Sequence, residues 1–154
     1  MAVFSGEFGL QFVLQAASYY TTRELVELAV LGAERGFKQV WLSDSLRYRN
    51  VLSVATAIAA RAPLKVGTAI LVPYFRNPID VADSVLAISE LTEGREISLG
   101  IAKGSKGQVP QYVEMAKPFR MVRETVGFLG ALFRGEEVSF EEYPTLCDYF
   151  HMNP

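Results

Sequence analysis

Few side chains in this sequence are equipped for chemistry, and their spacing narrows the options. Cys147 and His151 each occur once, near the end of the chain, with no second ligand or base at a useful interval. Neither a metal centre nor a nucleophile–base pair is therefore supported. The run Gly100-Ile101-Ala102-Lys103-Gly104-Ser105-Lys106 superficially suggests a phosphate loop. It lacks the GxxxxGK[ST] spacing, which argues against a nucleoside triphosphate and leaves Lys103 and Lys106 as solvated loop charges. What remains is Asp44-Ser45 after one apolar run, the amides of Gln11 and Gln15 in another, and Ser105. These groups can orient a ligand or bond to one another; Asp44 has the further option of capping the turn that follows it.

The element that must position them is Lys65–Pro78. Val66, Ile70, Leu71 and Val72 read as a buried strand with Gly67, Thr68 and Ala69 kept small between them. Small residues toward the C-terminal end of a strand leave room for something to lie against the backbone. Pro73 ends the strand, and Asn77-Pro78 opens a helix, an N-cap followed by proline at the first helical position.

Similar units surround it. Phe8–Gln15 alternates, with Phe8, Leu10, Phe12 and Leu14 on one face, expected to pack on helices, and Gln11 and Gln15 on the other, pointing inward. Thr21 and Glu24 form a capping box for a helix Thr22–Arg35 that buries Leu25, Leu28, Ala29 and Gly32 and ends at Gly36. Strand Gln39–Ser43 precedes helix Val51–Arg61, capped by Asn50; helix Pro78–Thr92 precedes strand Glu96–Ile101; helix Pro118–Arg134 ends at Gly135. Glu137–Phe140 looks strand-like, Glu141–Pro154 carries no clear signal, and Arg47-Tyr48-Arg49 reads as a surface turn. Four βα units at intervals of roughly 30 residues imply a parallel sheet covered by helices. Pattern alone leaves two architectures open, a doubly wound sheet or part of a (β/α)₈ barrel. A whole barrel needs about 250 residues.

With 154 residues, 50% hydrophobic and 21% charged, one globular domain is expected, with four βα units over about residues 8–135 and a tail, 136–154. A net charge of −2 gives no electrostatic case for nucleic acid or an anionic membrane. A single cysteine, no signal-peptide pattern and no apolar run near the roughly 18 residues of a membrane span make a cytoplasmic setting the expectation.

Five pieces then occur in a telling order: Phe8-Gly9-Leu10-Gln11-Phe12; Val40-Trp41-Leu42-Ser43-Asp44-Ser45; Arg49-Asn50-Val51; Gly67-Thr68-Ala69-Ile70 with Pro73-Tyr74-Phe75-Arg76-Asn77-Pro78; and Gly94-Arg95 before Leu99-Gly100-Ile101. Together they resemble the N-terminal half of the luciferase-like flavin or deazaflavin oxidoreductases, closest to the methylenetetrahydromethanopterin reductase group that uses coenzyme F-420. The resemblance covers about residues 8–140 and implies half of a TIM barrel. It also implies an active site at the C-terminal ends of the strands. Its third strand would end in a bulge with a non-proline cis peptide behind the cofactor ring, matching Ala69–Ile70, with Thr68 beside it. Asp44 and Ser45 match the cofactor-binding positions after the second strand, and Gly104 and Ser105 those after the fourth. Gln11 and Gln15 become substrate-side candidates.

Three departures qualify that picture. Ser45 stands where relatives often have histidine, Gln11 where the reductase group has glutamate, and Ser105 where some deazaflavin dehydrogenases have glutamate. Each removes a group able to carry a proton, which favours plain hydride transfer. The family's phosphate-binding residues lie largely in the other half of the barrel. The expected activity is hydride transfer between reduced coenzyme F-420 and a small organic substrate; an FMN-dependent monooxygenase is the alternative. From another class comes a non-catalytic half-barrel whose unpaired edges seek the missing half or a second copy, giving a homodimer. An open-sheet nucleotide module is disfavoured, since Ala16-Ala17-Ser18-Tyr19-Tyr20 stands where a Gly-rich fingerprint belongs.

Overall fold

Local signals set the start and end of nearly every element in the computed structural model, which describes residues 6–14 and 19–152. In chain order these are β1 (Gly9–Phe12), α1 (Thr22–Glu34), β2 (Gln39–Leu42), α2 (Val51–Ala59), β3 (Lys65–Leu71), α3 (Pro78–Leu91), β4 (Ile97–Ile101), α4 (Pro118–Phe133) and α5 (Pro144–Phe150). At α1 the Thr21 hydroxyl accepts from the Glu24 N–H at 3.2 Å while the Glu24 carboxylate accepts from the Thr21 N–H at 2.6 Å. Asn50 and Asn77 cap α2 and α3 through their side-chain oxygens. Gly36, Gly94 and Gly135 take positive φ after α1, α3 and α4, the left-handed geometry that lets a helix end and the chain turn back.

The four strands are parallel, in the order β1-β2-β3-β4. That order contains no reversal, and a doubly wound sheet requires one. The faces agree. Leu10, Phe12, Val40, Leu42, Val66, Ile97 and Leu99 all join a single cluster with Leu25 and Ala29 of α1, Val54 and Ile58 of α2, and Val81 and Ile88 of α3. Helices therefore cover one face only, the arrangement of a barrel wall.

The other face carries Gly9, Gln11, Trp41, Gly67 and Ser98. Space at the glycines is filled from within. A Cβ on Gly67 would lie 2.6 Å from the Trp41 ring, and one on Gly9 would lie 3.4 Å from it. The indole of Trp41 thus spans its two neighbouring strands, so the room at Gly67 holds a side chain of the sheet itself.

A second cluster holds the C-terminal segment. Phe128 of α4 stacks on Phe140 at 6.0 Å between centroids and meets Tyr143 edge-on at 5.3 Å. Tyr149 of α5 meets Tyr74 edge-on at 5.4 Å and donates its hydroxyl to the Tyr74 carbonyl at 3.2 Å. These aromatics, in a tail whose sequence carries no clear signal, pack within the chain. Three further expectations are corrected. Residues 137–140 form no strand: Val138 and Phe140 turn toward Phe128, and a 3-10 turn follows at Phe140–Glu142. Leu28, expected in the core, is 37% exposed, because the buried stripe of α1 follows Leu25, Ala29 and Gly32. Phe8 is 60% exposed and meets Phe37 edge-on beyond the start of β1.

Candidate functional site

The C-terminal end of β3 departs from regular strand geometry. Ala69 pairs with Gly100 and Leu71 with Ile101, so Ile70 is skipped and the strand bulges. The Ala69–Ile70 peptide is cis, at the position the family resemblance implies. The bulge brings Ala69 and Ile70 to the wall of a cleft of about 390 Å³ between the ends of β2 and β3 and the loop after β4. A volume of this size lies within the usual range of ligand pockets.

The cleft has an apolar wall and a polar rim. Ala69, Ile70, Val72, Phe75 and Val109 supply the wall. Ser45 and Ser105 supply two rim hydroxyls. The Ser45 hydroxyl accepts from the Arg47 N–H and that of Ser105 from the Gly107 N–H, both at 3.2 Å, so each retains its own proton to donate. Gly104 adopts φ +79°, and a Cβ there would sit 2.5 Å from Val109 and 3.2 Å from Val72. Only glycine lets this loop close down on the end of β3. Apolar walls with a few placed donors suit a flat amphipathic ring with one polar edge.

Asp44 reaches the cleft differently from the expected mode. Its side chain has no exposed surface, and Oδ1 accepts from Arg76 Nη2 at 2.7 Å and Nε at 3.3 Å. Its other oxygen accepts from the Val72 N–H at 3.2 Å. What Asp44 shows to the cleft is main chain; the carboxylate is spent on β3 and Arg76.

Six expected residues therefore meet at one cleft: Asp44, Ser45, Ala69, Ile70, Gly104 and Ser105. Thr68 does not join them. It is 2% exposed and donates its hydroxyl to the Gly100 carbonyl at 3.1 Å, tying β3 to β4. Gln11 is exposed on the inner face of the sheet and does not line the cleft. Gln15 lies outside the described residues. The sequence reading missed Arg76, which stood in a quoted stretch without a role, and Arg47, which lines the cleft from the supposed surface turn. Its neighbour Arg49 does donate to the Tyr20 carbonyl. Cys147 does not line this cleft. Its thiol, 3.4 Å from the Phe140 carbonyl, is pushed up in pKa first by burial and then by Glu124 and Asp148. Among the described residues no group of three or more His, Cys, Asp or Glu could hold a metal ion, and no helix is long and apolar enough to cross a membrane.

Known proteins share this architecture. The family model described as luciferase-like monooxygenase matches residues 7–149. The 5,10-methylenetetrahydromethanopterin reductase of Archaeoglobus fulgidus is 31% identical over 137 residues, covering 88% of this chain and 40% of that protein. The F-420-dependent glucose-6-phosphate dehydrogenase of Rhodococcus hoagii is 35% identical over 153 residues, covering 86% and 44%. Among solved structures, the coenzyme F-420-dependent tetrahydromethanopterin reductase of Methanopyrus kandleri superposes with TM-score 0.67 at 20% identity, over 81% of this chain and 39% of that one. The oxygenating constituent of 3,6-diketocamphane monooxygenase from Pseudomonas putida, solved with FMN, gives TM-score 0.69 at 20% identity, over 86% and 40%. The chain thus spans about 40% of the length of its curated relatives. With four parallel βα units wound in one direction and a family match over nearly its whole length, the chain belongs to the luciferase-like monooxygenase family and has the fold of the N-terminal half of its (β/α)₈ barrel.

Proposed function

We propose that the cleft binds the ring system of a flavin-type cofactor, coenzyme F-420 first and FMN as the alternative, as part of an oxidoreductase that passes hydride between reduced F-420 and a small organic substrate. The observation that carries this reading is the Ile70 bulge, which adds to the apolar wall of a cleft rimmed by polar groups at the C-terminal ends of the strands. The F-420-dependent names of the curated relatives support it.

In this reading Ala69 and Ile70 press on one face of the ring. The hydroxyls of Ser45 and Ser105 and the backbone near Gly104 and Asp44 orient its polar edge. The cofactor would supply the hydride chemistry. The chain's part is to hold a planar group at fixed distance from a substrate and to keep water off one face. Ser45 and Ser105 donate hydrogen bonds without titrating near neutral pH, so they steer the ring and move no proton. Gln11, and Gln15 with it, remain the residues proposed for the substrate side. The setting we propose is cytoplasmic, where Cys147 stays reduced.

Titration of the purified chain with coenzyme F-420 and with FMN, followed by fluorescence, tests the proposal. Binding of one of them is expected. Affinity weaker than about millimolar for both, roughly −4 kcal/mol, would overturn it.

A second reading, a non-catalytic half-barrel that pairs with another half, is favoured by the outer edges of β1 and β4, which face no strand among the described residues. Light scattering separates the two. A dimer that binds neither cofactor supports the half-barrel reading, and a cofactor-binding monomer removes it.

A further inference from the structure

We propose that Arg76 is a positioning residue of the cleft: by holding the Asp44 carboxylate it fixes the β3 bulge that presents Ile70, and so sets ligand affinity without touching the ligand. The link to affinity rests on the cofactor reading above; the link to the bulge rests on geometry alone.

Asp44 grips β3 on both sides of Leu71. Its N–H donates to the Ile70 carbonyl at 2.9 Å, and its carboxylate accepts from the Val72 N–H at 3.2 Å. One residue at the end of β2 thereby spans the bulge, which the regular ladder to β4 skips. The grip depends on a carboxylate with no exposed surface, and such a group needs a counter-charge. Arg76 supplies it with two nitrogens on Oδ1, leaving Oδ2 for Val72. The Arg76 side chain is itself only 14% exposed.

Arg76 also closes a loop on itself. It lies four residues beyond Val72 on the same segment, so Val72, Asp44 and Arg76 form a ring of contacts around the strand exit. Inside that ring the Phe75 N–H donates to the Val72 carbonyl at 3.0 Å, and from the same segment the Tyr74 hydroxyl reaches out to donate to the Ala116 carbonyl at 2.6 Å. Ile70, Val72 and Phe75 all line the cleft, so one buried ion pair holds three parts of its wall. Lysine cannot replace this arrangement, because a compact ammonium lacks the planar fork that places two donors on one oxygen.

Two measurements test the assignment, the first without any ligand. Hydrogen exchange of the residue 69–76 segment should accelerate about tenfold in Arg76→Lys while α1 and α2 keep their protection. The second is affinity for whichever of coenzyme F-420 and FMN the wild-type chain binds. We expect it to fall about tenfold in Arg76→Gln and several-fold in Arg76→Lys, with thermal midpoints recorded in parallel. The double variant Asp44→Asn/Arg76→Gln should lose no more than Arg76→Gln alone, since it no longer buries an unpaired charge. If Arg76→Gln does not fold, Arg76→Lys decides. Unchanged exchange in residues 69–76, or full affinity in a destabilised variant, would overturn the role. Absence of binding by wild type would instead strike the cofactor reading, and the exchange result would still decide whether Arg76 holds the bulge.

Discussion

The two ends of the sheet each carry one well-anchored arginine, and the two are used in opposite ways. At the end where the strands begin, Arg95 turns one guanidinium nitrogen toward three carbonyls, those of Ala59, Ala62 and Leu64, at 3.4, 3.0 and 3.4 Å. These carbonyls stand where α2 stops and the chain enters β3, and the two Arg95 Nη1 hydrogens are shared among them, with no anionic partner among the described residues. At the end where the strands finish, Arg76 meets a fully buried carboxylate beside an open cleft. The first arrangement is a staple for loose backbone. The second holds a wall against empty space. In a barrel this division matches the general rule that the entry face serves stability and the exit face serves chemistry.

Four measurements probe that division, beginning with the largest expected effect. Gly100→Ala attacks the exit end directly, because a Cβ there would lie 2.4 Å from the Thr68 backbone oxygen. Backbone cannot swing aside as a side chain can, so a loss of about 3 kcal/mol is expected, read from the urea midpoint. Wild-type stability would mean that the β3–β4 ladder has slack. Next, Arg95→Ala should cost about 2 kcal/mol by stranding carbonyls and, on the proposed cofactor reading, leave affinity unchanged in the folded protein. A parallel fall in affinity would break the contrast between the two ends.

Ile70→Ala should show the reverse pattern. On the proposed cofactor reading, affinity should drop about tenfold, or about 1.4 kcal/mol, while stability falls less than in Arg95→Ala. A greater stability loss with unaltered binding would make Ile70 a packing residue. The smallest effect lies in alkaline solution. Burial raises the Tyr74 hydroxyl above its ordinary pKa, with Tyr149 adding to the shift, and burial raises Tyr149, with Glu114 adding. A folded value above the unfolded one means that the stabilisation is complete below about pH 10 and is lost as pH rises through the folded values. Because Tyr74 and Tyr149 tie α5 to the strand exit, near-ultraviolet circular dichroism should report loosening there first. Tyr74→Phe should flatten the alkaline slope; an identical slope would assign it to other groups.

What could be read in advance follows the range of the forces involved. Thr21 with Glu24, Asn50, and Asn77 with Pro78 act within a few residues, and each placed its helix correctly. Gly36 and Gly135 did the same for helix ends. Ala69–Ile70 was legible because a resemblance pointed to it, and the small residues before it gave a local reason to look. The Asp44–Arg76 pair was not legible, since its partners stand 32 positions apart and nothing local in either dictates the other. Gly67 misled for the same reason: the space it leaves belongs to Trp41 of the adjacent strand. The tail was obscure because Tyr143, Tyr149 and Phe150 suit almost any apolar surface, and only the position of Phe128 and Tyr74 chooses one.

The strand order β1-β2-β3-β4 has a bearing on how such a chain comes into being. Each strand after β1 pairs with the one made just before it, at a separation of about one βα unit. A chain emerging from its N-terminus can therefore lay down each unit on a finished neighbour, with short loops to close and no earlier pairing to reopen. The sheet grows at one margin while the other stays as it was.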